Sequence, residues 1–316
     1  MPNTVLGASW PNSCVAVFAD ALPEPLLAAV AADSDSLAAC EPNFWVPRSA
    51  ILPVSRESDP QRTLVETVVC SLWDRVLSTL LPADSWAGAE WWCQVYNTPG
   101  RGLDFHYDKD EHRMAAAGVM ANPELSCVLY LNTDAECANT QKLNLGATAV
   151  LEQRYDSASQ TSVPETSRND VLVWPAHNTL CVFDGRLSHG VLDWHAAGPL
   201  RRTLLVNWWT AQPHEVQRCS AVTYASVHGL AAAGAVDAVS SEPHARRLCI
   251  PVVNAELSEE QGPMAVDDLV RDAGHSGAVA VAIAHPGSTL IQLEDAAAAA
   301  VAVIVPDELL QSGDED

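Results

Sequence analysis

Leu103-Asp104-Phe105-His106-Tyr107-Asp108 is the stretch on which the reading of this 316-residue chain turns. It follows Pro99-Gly100-Arg101-Gly102, a turn-forming cluster. On a strand, side chains two apart share a face. His106 and Asp108 would then present an imidazole nitrogen and a carboxylate oxygen on one side, with Phe105 and Tyr107 on the other. Further short strands are predicted around it at Glu90–Tyr96, Leu125–Leu131, Ala147–Leu151, Val171–Trp174, Thr179–Phe183 and Arg201–Trp208. Asn122-Pro123, Pro164, Asp184-Gly185 and Gly198-Pro199 punctuate them. Short strands with no regular helix between them predict a sandwich or barrel, not a doubly wound parallel sheet.

The flanks differ from this β region. Residues 1–85 read as an α/β support, with a strand at Val15–Phe18 and a short helix at Glu24–Ala32 after Pro23. A longer helix is expected to start at Asp59-Pro60, a cap followed by proline at the first helical position. It would carry Leu64, Val65, Val68, Leu72, Trp73, Val76 and Leu80 on its core face and stop at Pro82. Residues 86–210 form the expected β core, and residues 211–316 an acidic, Ala/Val-rich extension of unassigned role. In that extension Pro263–Ala273 reads as helix, Ala278–Ile283 as strand and Ala296–Ala300 as helix or low-complexity filler.

Charge narrows the partners. The formal net charge is −23, with 15 Arg and only 2 Lys, and the last 106 residues carry 16 acidic side chains against 4 basic. Phosphate backbones and anionic lipid surfaces are bound through Lys and Arg, so nucleic acid and membrane are disfavoured, and a basic or neutral substrate is favoured over a phosphorylated one. Nine cysteines without a CxxC, several inside apolar runs, read as buried reduced thiols. Met1 to Asp20 holds no Lys or Arg and no long apolar run, and no segment reaches the length of a membrane span. The expectation is a cytoplasmic or nuclear protein.

Two ligands need a third to make a 2-His-1-carboxylate triad, which leaves one side of an iron open. His189, in Phe183-Asp184-Gly185-Arg186-Leu187-Ser188-His189-Gly190-Val191, is the best-placed third group, at the start of a strand just after a turn, with His195 as the alternative. Downstream, Arg201-Arg202-Thr203-Leu204-Leu205-Val206-Asn207-Trp208 opens an apolar strand with two arginines, of which alternation turns only one inward. Guanidinium binds carboxylate bidentately, so an inward arginine near a metal suits a dicarboxylate. Asp110, Glu111 and His112 read as a solvated loop face that could contact substrate instead. The Trp91-Trp92 and Trp208-Trp209 pairs read as packing or rim.

The set of His106-x-Asp108, Tyr130-Leu131-Asn132, Ser188-His189-Gly190-Val191 and Arg201-x-Thr203, in this order, resembles the Fe(II)- and 2-oxoglutarate-dependent dioxygenases, in particular their prolyl-4-hydroxylase-like branch. The likeness spans about residues 91–209 and includes Cys93-Gln94-Val95-Tyr96. The stretch from Ala138 to Gly146 lacks the family's glycine pair, and the His189-to-Arg201 interval is slightly long. The resemblance implies a mainly β, double-stranded β-helix (jelly-roll, cupin-like) core with flanking helices. It implies Fe(II) on His106, Asp108 and His189, 2-oxoglutarate paired with Arg201 (Arg202 being its competitor) near Thr203, and Tyr130 and Tyr96 lining the co-substrate pocket. Fe(II), 2-oxoglutarate and O2 would be required, with ascorbate a further candidate. The reaction would oxidise a protein side chain or a small molecule, releasing succinate and CO2. A non-catalytic jelly-roll module and a cupin-like metalloprotein without 2-oxoglutarate are the rival readings.

Overall fold

The computed structural model describes residues 14–40, 43–52, 62–96, 101–133, 136–137, 145–165, 167, 169–193, 200–219, 245–248, 252–254 and 280–284. Its N-terminal part places β1 (Val15–Ala19) and β2 (Phe44–Pro47) among three helices, α1 (Glu24–Ala32), α2 (Ser34–Ala38) and α3 (Arg48–Ile51). The longest helix, α4 (Leu64–Arg75), begins at a reciprocal cap: Thr63 Oγ1 accepts from the Glu66 amide and Glu66 Oε2 accepts from the Thr63 amide. This corrects the expected boundaries. The Asp59-Pro60 start lies outside the described residues, and the helix ends at Arg75 because Val76 leaves helical geometry (φ −133°) before a 3-10 turn at Leu77–Thr79.

The core follows as β3 (Gly88–Val95), β4 (Leu103–His106), β5 (Leu125–Tyr130), β6 (Thr148–Asp156), β7 (Thr161–Val163), β8 (Asn169–Val173), β9 (Leu180–Asp184), β10 (Leu187–Val191) and β11 (Arg202–Trp209). A short helix, α5 (Glu111–Ala117), stands where the sequence suggests a loop face. The Asp110 side chain caps it by accepting from the Arg113 amide, and Gly118, at φ +63°, ends it in the left-handed region that glycine tolerates. Further on come β12 (Arg246–Leu248), β13 (Val252–Asn254) and β14 (Ala280–Ala284), the last close to the strand expected at Ala278–Ile283. The helix expected at Pro263–Ala273 and the Ala296–Ala300 run lie outside the described residues, as do His195 and most of the Ala138–Gly146 stretch.

One sheet runs β12-β1-β9-β5-β11-β3-β2 and the other β13-β14-β8-β6-β10-β4, with β7 paired to β6. Among the described residues the strands pair antiparallel except β13 with β14, and Phe44 makes an isolated parallel bridge to Gln217. The chain crosses between sheets from β3 to β4, β4 to β5, β5 to β6, β8 to β9, β9 to β10 and β10 to β11. This is the double-stranded β-helix, or jelly-roll, in which each core sheet alternates strands from the two halves of the motif.

The larger sheet is covered on both sides. Its outer face meets the helices in an apolar layer where Trp73, Trp86 and Trp208 meet at ring separations of 4.6 to 5.5 Å. Its inner face meets the smaller sheet through Val128, Tyr130, Val150, Val171 and Phe183. Alternation on β3 serves both: Ala89, Trp91 and Cys93 join the helical layer, leaving Glu90, Trp92 and Gln94 for the opposite face. Cys93, Cys127 and Cys181 are buried thiols, and burial pushes Cys93 and Cys181 up to about 12, well away from reactive thiolate. No helix among the described residues is long and apolar enough to cross a membrane.

Candidate functional site

β4 and β10 are neighbours in the smaller sheet, and their register places His106 directly opposite His189 with ring centroids 4.4 Å apart. The two strands approach closely because two glycines allow it. A Cβ on Gly190 would lie 2.7 Å from the Leu103 carbonyl oxygen, and one on Gly102 would collide with that of Val191. His189 therefore sits mid-strand in β10, not at a strand start.

Asp108 completes the group by another route than strand alternation. β4 ends at His106, two residues short of the expected end. The carboxylate is aimed instead by Ser126 on β5, whose Oγ donates to Asp108 Oδ2 at 2.7 Å, while Asn122 Nδ2 donates to the Asp108 carbonyl at 2.6 Å. His189 Nε2 lies 3.5 Å from Asp108 Oδ2 and His106 Nε2 3.9 Å from Oδ1. One ligand atom from each residue lies within 4.8 Å of the others, the one such group among the described residues. Tyr107 turns away, its hydroxyl donating to Ser162 Oγ on β7 at 2.8 Å.

The hydrogen bonds around the imidazoles fix which nitrogen is offered. His106 Nδ1 lies 2.8 Å from the Asp104 carbonyl oxygen and His189 Nδ1 3.0 Å from that of Leu187, each two residues back along its own strand. A carbonyl only accepts, so both Nδ1 atoms carry the proton and both Nε2 lone pairs face Asp108, as a metal ligand requires. Burial, foremost, and the neighbouring His106 hold His189 below the ordinary imidazole value, against the pull of Asp108. It is thus kept neutral and ready to ligate. Two imidazole nitrogens and one carboxylate oxygen are the donor set of a facial triad, and these residues fit an Fe(II) ion.

The two histidines open onto a cavity of about 690 Å³ that Arg201, Tyr96, Trp92 and Thr148 also line. Arg201 is 1% exposed, with Nε donating to the Gly146 carbonyl at 3.2 Å and Nη2 to Thr148 Oγ1 at 2.7 Å. Its guanidinium stacks between Tyr96 (4.9 Å) and Tyr130 (5.5 Å). No carboxylate lies within ion-pair distance of it among the described residues. Arg202, its neighbour, turns the other way to Glu136 at 2.7 Å. Tyr130 is fully buried, its hydroxyl bonded to Thr148 Oγ1 (2.8 Å) and the Val173 carbonyl (3.1 Å). Thr203 is also fully buried, with its hydroxyl directed to the Gln94 carbonyl at 3.5 Å.

Sequence reasoning missed Ser126 and Thr148, and it missed the wall that Asp35, Cys40 and Asn43 contribute. Strand alternation carried the signal for the first two, since Thr148 shares a face with inward Val150, and Ser126 with inward Val128. Asp35, Cys40 and Asn43 reach the cavity only through the packing of α2 against β3.

No protein-family model and no curated protein matches the chain. Among solved structures, the chain is similar to a prolyl-4-hydroxylase from Pseudomonas putida, at 18% identity over 63% of this chain and 93% of that one, with a TM-score of 0.37. It is similar to a 2OG-Fe(II) oxygenase-family oxidoreductase from Burkholderia pseudomallei, at 14% identity over 64% and 85%, with a TM-score of 0.37. A third is a prolyl hydroxylase from Trichoplax adhaerens, solved in complex with a peptide fragment of a hypoxia inducible factor, at 13% identity over 62% and 83%, with a TM-score of 0.35.

Proposed function

We propose that the chain is an Fe(II)- and 2-oxoglutarate-dependent dioxygenase that oxidises a protein side chain or a small molecule, with O2 as the second co-substrate. The observation that carries this reading is a pairing: the two histidines of a His-Asp-His donor set open onto the same cavity as a buried arginine that has no ion pair among the described residues. A buried guanidinium without a counter-charge is costly, and a bound carboxylate removes that cost.

His106, Asp108 and His189 would hold the iron, which when bound supplies the coupling of 2-oxoglutarate decarboxylation to substrate oxidation. Ser126 keeps the Asp108 carboxylate turned toward the two imidazoles. The Asp104 and Leu187 carbonyls keep both imidazoles in the tautomer that offers Nε2. Arg201, steadied by Gly146 and Thr148, receives the far carboxylate of the co-substrate, and the Tyr96 and Tyr130 rings flank that guanidinium and keep water from it. The roles of Tyr96, Tyr130 and Thr203 toward 2-oxoglutarate are part of the proposal.

The test is anaerobic addition of Fe(II) and 2-oxoglutarate to the purified chain, read as the visible metal-to-ligand charge-transfer band. The expected result is a band in the wild type that His106→Ala loses. Its absence from the wild type, or its persistence in the variant, would overturn the reading. Succinate formed without any added substrate then measures turnover.

A further inference from the structure

A second cavity, of about 590 Å³, adjoins the first, and Asn43 lines both. The two are strung along β3. Tyr96, Gln94 and Trp92 line the first cavity and Glu90 the second, so alternate residues of one strand run from the Arg201 end to the far chamber. At roughly 3.3 Å per residue, the run from Tyr96 to Glu90 is about 20 Å long. That is more room than a five-carbon dicarboxylate needs.

The two ends of this trough carry ionisable groups of opposite sign, neither with an ion pair among the described residues. At one end is Arg201. At the other is Glu90, 6% exposed, whose carboxylate accepts only from neutral donors: Asn43 Nδ2 at 2.8 Å and Trp209 Nε1 at 2.9 Å. Two cations of the chamber are already paired with other carboxylates, and Glu215 and His112 complete its charged lining. Lys109 closes on Glu111 at 2.8 Å, and His214 on Asp110 at 2.7 Å. Glu90 has no cation within ion-pair distance among the described residues, and burial pushes its carboxyl up to about 7. Two residues along the strand, Trp92, half-buried, lines the first cavity. A buried carboxylate next to an accessible indole is a set that recognises an organic cation, by charge and by cation–π contact.

We propose that the second chamber, where it meets the first, is the specificity subsite for the primary substrate, and that it takes an ammonium or guanidinium group seated against Glu90, with Trp92, two residues along the same strand, facing it from the first cavity. The proposal rests on the dioxygenase reading for what happens to the substrate, but the cation preference is measurable by itself. The substrate class is then a compound with a basic side chain, either as a residue in a peptide or as a free amine.

The experiment is isothermal titration of the full chain, loaded anaerobically with Fe(II) and 2-oxoglutarate. The probes are Nα-acetyl-lysine N-methylamide, its Nε-acetylated counterpart and cadaverine. A charged probe is expected to bind about tenfold or more tighter than the acetylated one. Tighter binding of the lysine amide than of cadaverine points to a peptide source, and the reverse order to a free amine. Glu90→Gln is expected to erase the preference for charge, and Trp92→Leu to weaken the charged probes several-fold. Equal binding of charged and acetylated lysine, no binding of either cation at millimolar concentration, or a preference surviving Glu90→Gln would overturn the proposal. The first two need only the wild type, so a variant that fails to fold does not protect it. The charge-transfer band on the same sample separates the two readings. A band without cation preference removes this subsite alone, and a missing band removes the iron reading whatever the probes do.

Discussion

The two sheets of the jelly-roll are built for different tasks. In the larger sheet, β5 and β9 are buried along their whole length, and the outer face carries a helical layer of leucines, valines and tryptophans. In the smaller sheet β4 is at best half-buried, β6 loses its cover beyond Leu151, and β10, although buried, holds Ser188, His189 and Gly190 at its centre. The first sheet spends its sequence on packing and the second on ligands. The larger sheet still reaches across to aim the chemistry, through Ser126 on β5 and Arg201 just before β11. A doubly backed sheet is the rigid body against which a more open one can hold polar groups in fixed positions.

This division can be broken from either side. The largest effect is expected in the open sheet. His189→Ala should lower iron affinity by more than about 100-fold, the upper range for residues that merely support a ligand, and abolish the charge-transfer band. Its melting temperature without metal should stay near the wild type, and a collapse in thermal unfolding would contradict the division. In the backed sheet, Trp208→Ala should cost about 3–5 kcal/mol in denaturant unfolding. The band per folded molecule should survive it, and loss of the band under fully folded conditions would show that the two sheets are not separable.

Glu90 sharpens the contrast, being a carboxyl on the backed sheet that behaves like part of the site. Its folded value of about 7 lies above the ordinary 4.5, so the folded state holds the proton more tightly than the unfolded chain. Its contribution is favourable below about pH 4.5 and is lost as pH rises toward 7 and beyond. Glu90→Gln cannot titrate, so its stability relative to wild type should rise between pH 4.5 and 8 by up to about 3 kcal/mol. Chemical denaturation of both proteins across that range checks it, and a pH-independent difference would refute it. The smallest effect is expected from Ser126→Ala, which removes one hydrogen bond to Asp108. About a tenfold loss of iron affinity with little change in stability is expected, measured by competition with a chelator.

How much of this was legible in the sequence depends on the reach of the interaction concerned. The seven core strands near 90–210 and the helix at Glu24–Ala32 follow from local patterning, and the structure shifts the strands' ends by one to a few residues; the choice of His189 as partner to His106 rests on the resemblance, and the structure brings the two rings together. The pleat argument places Asp108 beside His106 by strand alternation, which the structure replaces: the strand stops at His106, and a hydroxyl from β5 does the aiming. That bond joins residues on opposite sheets, so no local pattern encodes it. α5 was missed because it has no buried residue and hence no apolar period, although its caps, Asp110 and Gly118, were readable. Glu90 and Asn43 escaped because a single acid or amide in an apolar strand says nothing until the neighbouring elements are known.

The His106–His189 contact is a rung of a single backbone ladder between β4 and β10, and β10 is the last core strand but one to leave a ribosome. The His-Asp-His group therefore has no early precursor. During synthesis it cannot exist until nearly the whole jelly-roll has emerged, so under the proposed function metal capture by the nascent chain would be a late event that reports completed topology. In the mature protein the same rung makes amide exchange at β10 a direct gauge of whether the centre is assembled.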